Sequence, residues 1–315
     1  MRTRADYTFR PVARIELLTV GETFQDLVFA GLPRLPRAGE ELKTAHYVET
    51  IGGGAAITAV AAARLGLRTG TITAAASGAI RQLRREGVAV TNLLRPGEPP
   101  AVTAALSTAR DRAFATFPGV NARLQPRLAE ALSRRSAAHV HFAFAPDRCA
   151  VWTRIANGLR ARGTTTSWDF GWAPALAGRA GFTALVASAD FVFMNEVEAI
   201  LYARAISRGQ TAVVKLGRRG SRWISADAVY RAAAPRVRVV DTTGAGDAFN
   251  AGFLCAFLRG RSPSACLKLG NFAGAQSTRT LGGISGLPTQ PARPTRLIRP
   301  AFARLRRARA SVGRP

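Results

Sequence analysis

The stretch Val240-Asp241-Thr242-Thr243-Gly244-Ala245-Gly246-Asp247-Ala248-Phe249-Asn250-Ala251-Gly252-Phe253 sets a glycine turn and a lone carboxylate where an apolar run, 237–240, is expected to pass from strand to helix. Phosphoryl transfer needs that local chemistry. Gly244 and Gly246 let the backbone turn tightly and approach a ligand without a Cβ in the way. The amides of Ala245, Gly246 and Asp247, in the new helix's first turn, then point at an anion with the helix dipole behind them. Asp247 would repel a static phosphate. It makes sense as a base that takes the proton of an attacking hydroxyl while the amides hold the transferring group. A capped helix after a glycine turn would explain a bare Gly-x-Gly. The longer spacing Asp-Thr-x-Gly-x-Gly-Asp-x-Phe-x-x-Gly favours the chemical reading.

Positioning such a loop takes a rigid frame, and the sequence supplies one. Apolar runs at 15–20, 69–74, 138–143, 164–168, 189–194 and 212–216 read as strands. Helical patterns at 55–65, 79–86, 149–162, 196–205 and 245–259 alternate with them. This alternation predicts an α/β fold of three layers, with a mostly parallel central sheet and helices on both faces. Two stretches break the pattern. Residues 35–48 and 101–117 read as shorter, partly polar strands, and predict a small β lid spanning about 35–50 and 100–118. The expected domain runs from 15 to 290, between a basic extension (1–14) and a basic, proline-bearing tail (291–315). A helix is expected at 301–309, and the end as a whole is expected to be mobile.

Composition excludes several classes. The 315 residues are 47% hydrophobic, enough for one large core. No uninterrupted apolar stretch approaches the roughly 20 residues of a membrane span. Glu22 and Asp26 interrupt the first apolar region, so it reads as a buried strand rather than a secretory leader. Cys149, Cys255 and Cys266 are odd in number and lack metal-ligand spacing, which fits core residues in a reducing cytoplasm. Lys43, Lys215 and Lys268 are the only lysines among 45 basic residues, and the formal charge is +26. Such a field favours anionic substrates and permits non-specific contact with nucleic acid. No basic-aromatic alternation marks a dedicated nucleic-acid module.

With the Asp247 segment in hand, the chain resembles the ribokinase-like (PfkB) carbohydrate kinases over about residues 17–288. The resemblance implies Asp247 as catalytic base and the 244–247 amides as anion hole. Asn195-Glu196-Val197-Glu198 resembles the family's Asn-x-x-Glu element. It implies that Asn195 binds nucleotide and that Glu198 holds Mg²⁺ through water. Alone, the same residues would read as an N-cap and an exposed first-turn acid. Lys215-Leu216-Gly217-Arg218-Arg219-Gly220 resembles a Lys-x-Gly-x-x-Gly turn at the nucleotide phosphates, with Lys215 as counter-charge; a hairpin turn would explain it equally. Thr242 is carried over to the nucleotide, and Asn271 to the border of an adenine pocket. Asp241 and the Thr243 carbonyl match two positions of a monovalent cation site, so K⁺ joins ATP and Mg²⁺ among the implied cofactors.

The N-terminal half is less faithful. Gly21-Glu22-Thr23-Phe24-Gln25-Asp26 resembles a first-strand motif whose aspartate holds sugar hydroxyls, a task that suits a carboxylate. Gly52-Gly53-Gly54 matches the family's first signature, but Ile57 stands where the family's sugar-binding Asn falls. At Thr73-Ala74-Ala75-Ala76-Ser77-Gly78 an expected acid is missing. Arg112, on the second lid strand, reads as a contact for an anionic group or as an ordinary exposed arginine. Asp169 fits a position near the active-site rim. The expected activity is transfer of the γ-phosphoryl group of ATP to a hydroxyl of a sugar-like acceptor. Ile57 and Phe24 leave a flatter nucleoside acceptor open. Together with the charge, Ile57 and the shortened turn also leave open a weakly active metabolite-binding protein. Exposed lid edges leave a homodimer open.

Overall fold

The computed structural model describes residues 15–108, 112–206 and 210–289. The expected extension, tail and 301–309 helix lie outside the described residues. In chain order the first elements are β1 (Leu17–Gly21), β2 (Phe24–Leu32), β3 (His46–Gly52), α1 (Gly54–Arg64), β4 (Thr69–Thr73), α2 (Ser77–Arg85) and β5 (Ala89–Asn92). There follow β6 (Val102–Thr108), β7 (Arg112–Phe117), α3 (Gln125–Ser133), β8 (His139–Ala143), α4 (Cys149–Ala161), β9 (Thr165–Asp169), α5 (Pro174–Ala177) and α6 (Phe182–Ser188). The last are β10 (Phe191–Asn195), α7 (Glu196–Leu201), β11 (Ala212–Lys215), β12 (Ser221–Ile224), β13 (Val229–Ala232), α8 (Ala245–Leu258) and α9 (Pro263–Ser277).

Nine strands form the main sheet in the order β13-β12-β11-β10-β9-β8-β1-β4-β5. All its pairings are parallel except β11 with β12 and β12 with β13. β1, β4 and β8 are buried along their whole length, as expected of parallel strands covered on both faces. One core joins α1, α8 and α9 through Ile57, Phe249, Phe253 and Leu267. The other packs Trp152, Trp168, Phe142 and Phe182 under α3, α4 and α6. Strand order reverses between β1 and β8, so the carboxyl ends of β1, β8, β9, β10 and β11 open on one crevice, the usual ligand position in such a sheet.

The lid is a separate four-stranded sheet, β3-β2-β6-β7. It differs from the expectation in its first half. The strands are Phe24–Leu32 and His46–Gly52, and the centre of the expected 35–48 strand is a loop. Proline and glycine at 33, 36 and 39 turn the chain there, while Phe24, Leu27, Val28 and Phe29 favour a strand. The expected strand at 237–240 is also absent. Residues 233–239 have no regular structure, and Val239 and Val240 are exposed. β13 already closes that edge of the sheet. The N–H groups of Val240 and Asp241 go instead to the Thr278 carbonyl at the end of α9.

Candidate active site

Gly244 caps α8 in the left-handed conformation, φ 70°. A side chain there would meet the Ile57 methyl at 2.8 Å, and one at Gly283 would meet the same methyl at 2.7 Å. Ile57 is 2% exposed and fills the gap between these two glycines. It supports the loop from beneath and leaves almost no surface of its own exposed. Thr58, the next residue of α1, donates to the Asp247 carbonyl at 3.3 Å.

The amides expected to face an anion at the head of α8 differ in their partners. The Ala245 N–H turns back to the Thr242 carbonyl at 3.3 Å. Among the described residues, the N–H groups of Gly246 and Asp247 have no acceptor, and no side chain caps the helix. The Asp247 carboxyl beside them is likewise without a hydrogen bond. Burial, with the charge of Asp169 as second cause, pushes it up to about 7.

Three glycines link this carboxyl to Asp26. A side chain at Gly52 would collide with both Asp26 carboxylate oxygens. One at Gly54 would come within 2.9 Å of Asp247 Oδ1. Gly53, at φ 96°, lies against the backbone of Glu22 and Thr23. The single turn 52–54 therefore separates two carboxyls, and both need glycine to come so close. Burial and the charge of Asp241 raise Asp26 to about 7. Burial alone raises Glu22 to a similar value. Sequence reasoning treated Glu22 only as a break in an apolar run. Its position at the carboxyl end of β1 was the available signal.

Lys215 is held in an ion pair. It ends β11 and donates to Asp169 at 2.7 Å and to Asn250 at 3.4 Å. Asn250 in turn donates to the same Asp169 oxygen at 2.8 Å. Burial opposes both charges, but the pair wins: Lys215 is held above its ordinary range and Asp169 below. The ammonium lies 3.1 Å from where a Gly246 side chain would begin, beside the first turn of α8. Asp169 and Asn250 are the residues that motif reading left without this role.

The other residues expected at the nucleotide have structural partners. Asn195 Oδ1 accepts the Glu198 N–H at 2.9 Å and Glu198 Oε2 accepts the Asn195 N–H at 2.8 Å, a reciprocal cap on α7. Glu198 is buried rather than exposed, and burial followed by the charge of Asp169 raises its pKa. Gly217 (φ 57°) opens on free space, whereas a side chain on Gly220 (φ 93°) would strike the Ala232 carbonyl. The Asn271 amide donates to the carbonyls of Ala232 and Ala233 at 3.0 and 3.2 Å, clamping the end of β13. Arg112 reaches from β7 to Asp241 at 2.8 Å and to the hydroxyls of Thr242 and Thr243 at 2.5 Å each. No cluster of three His, Cys, Asp or Glu side chains suited to a metal occurs among the described residues.

Residues 14–290 match the pfkB family carbohydrate kinase model, and the chain belongs to that family of sugar kinases. It is 28% identical to an ATP-dependent ribose-1-phosphate kinase of Halopiger xanaduensis, over 88% of this chain and 96% of that one. It is 29% identical to a nucleoside kinase of Methanothermobacter thermautotrophicus, over 82% and 87%. The fold matches ribokinase of Cryptococcus neoformans, solved in complex with ADP, with a TM-score of 0.71 at 20% identity over 88% and 97% of the chains. No helix among the described residues is long and apolar enough to cross a membrane.

Proposed function

We propose that the chain transfers the γ-phosphoryl group of ATP to a hydroxyl of a sugar or nucleoside seated on the 52–54 turn. The observation that carries this reading is the placing of Asp26 and Asp247 at the two ends of that turn, each against a glycine. Asp26 accepts acceptor hydroxyls and fixes their orientation. Asp247, poised near neutrality, removes the proton of the attacking hydroxyl. The N–H groups of Gly246 and Asp247, with the Lys215 charge behind them, stabilise the transferring group. The lid sheet shields the acceptor from water and limits wasteful hydrolysis of ATP.

Mg²⁺ would neutralise charge on the nucleotide phosphates. Asn195 Oδ1 and Glu198 Oε2 are committed to the α7 cap, so the fit is to a hydrated ion. Phosphate oxygens and waters would hold it, with the remaining Glu198 oxygen acting through water. Relatives named as ribose-1-phosphate and nucleoside kinases put those two acceptor classes first. ADP release from Mg-ATP is measured against sugars, phosphosugars and nucleosides, with Asp26→Ala in parallel. One acceptor class should stimulate release, with its KM raised at least about tenfold in Asp26→Ala. No stimulation by any class, in protein that binds ATP, would replace the kinase reading with that of a metabolite-binding protein.

A further inference from the structure

The family resemblance implies a monovalent cation at Asp241 and the Thr243 carbonyl, and Asp241 does not fit one. A carboxylate offers about four lone-pair sites. Oδ1 already takes the Thr243 N–H at 2.9 Å, the Thr243 hydroxyl at 2.7 Å and Arg112 Nη1 at 2.8 Å. Oδ2 takes the Gly282 N–H at 2.9 Å. Three donors saturate Oδ1, a fourth takes Oδ2, and one of the four brings a full positive charge that already neutralises the carboxylate. The other arm of the guanidinium holds Thr242, so a single side chain binds all three residues that lead into the anion hole. Phe114, on the same lid strand, faces the guanidinium with its ring centre 5.8 Å away. The Asp241 side chain is only 5% exposed, so its charge needs a partner inside the protein.

We propose that Arg112 is the tethered cation of the phosphoryl-transfer loop, replacing a free monovalent ion and making the order of residues 241–243 depend on the position of lid strand β7. Arg112 is thus a positioning residue rather than a contact for an anionic acceptor. The proposal rests on the kinase reading above, and its test is arranged so that the two can fail separately.

Wild type, Arg112→Ala and Arg112→Lys are compared in a buffer whose only cations are Mg²⁺ and tetramethylammonium, then with K⁺, Na⁺ or guanidinium added. ADP affinity by calorimetry and the melting temperature are read, and neither needs the acceptor. Wild type should respond equally to K⁺ and Na⁺, within about twofold in ADP affinity. Arg112→Ala should lose about tenfold in ADP affinity, the scale of a charge-assisted bond. K⁺ or guanidinium should restore it, and Arg112→Lys should fall between and ignore K⁺. The lysine variant also covers an alanine variant that fails to fold.

A K⁺-selective gain of more than about fivefold in wild type would overturn the proposal. So would an Arg112→Ala protein indistinguishable from wild type. A natively folded Arg112→Ala protein that neither ion rescues would overturn it as well, and would make Arg112 a ligand contact. If no variant binds ADP, the kinase reading has failed. Melting then still decides: K⁺ must raise the melting temperature of Arg112→Ala and leave that of wild type unchanged.

Discussion

The loop from 241 to 247 carries an aspartate at each end, and the two are treated in opposite ways. Asp241 accepts four hydrogen bonds, one from a guanidinium, and is immobilised against the end of α9 and the lid. Asp247, half-buried at the head of α8, accepts none among the described residues. A carboxylate partly withdrawn from water without a donor is costly, and that cost appears as its raised pKa. On the proposed reading, saturation makes Asp241 an anchor and deprivation suits Asp247 to be a base. The contrast would then separate the part of the loop that sets geometry from the part that moves a proton.

The largest effect should come from removing the deprived carboxyl. Asp247→Asn should lower turnover about 10²–10⁴-fold while leaving ADP affinity within about twofold. Equal losses in affinity and turnover would make Asp247 structural. Next is the buried pair below it. Lys215→Met leaves Asp169 charged and unpaired, which should cost about 3–5 kcal/mol in chemical denaturation. It also removes a charge that lowers the Asp247 pKa, so the acid limb of the rate profile should move to higher pH. An unmoved limb would separate Lys215 from the base.

Ile57→Asn tests the floor of the loop. It puts an amide into the close-packed gap between Gly244 and Gly283, at a position 2% exposed, and should cost about 1–3 kcal/mol without improving the KM of any acceptor. A lower KM for a free sugar would mean that the side chain does reach the acceptor.

The smallest effect concerns pH and stability. The Asp247 carboxyl is raised from its ordinary 3.8 to about 7, so the folded state holds the proton more tightly than the unfolded chain. The stability it contributes is complete below about 4 and is lost as pH rises through about 7. Asp247→Asn should therefore melt close to wild type near pH 4 and above it near pH 8, the gap opening as pH rises from about 4 through about 7. A gap that does not grow with pH would show that the carboxyl is not raised.

Much of this was legible in the chain. The glycine spacing located Gly244 and Asp247, and the alternation of runs located the parallel sheet, because both depend on local conformation and on burial period. Lys215 and Asn271 were harder. Their types and spacing fit a nucleotide, but partners distant in sequence engage their polar atoms: Asp169 for Lys215 and the carbonyls of Ala232 and Ala233 for Asn271. The Asn195 cap, by contrast, is local and was readable in the chain. Arg112 was readable as an arginine near an anion; that the anion was Asp241, across the lid, was not. The strand expected at 237–240 failed for a related reason. Apolar residues form a strand only where a neighbouring strand offers an edge, and β13 had already taken it.

The most direct measurement is the rate of ADP formation from Mg-ATP and the stimulating acceptor, followed from about pH 5 to 9 in wild type and Asp247→Asn. A base at Asp247 requires the wild-type rate to rise through an inflection near 7 and the variant to show a low rate without that inflection. A wild-type rate flat across this range, or a variant that keeps the same rising limb, would contradict the assignment.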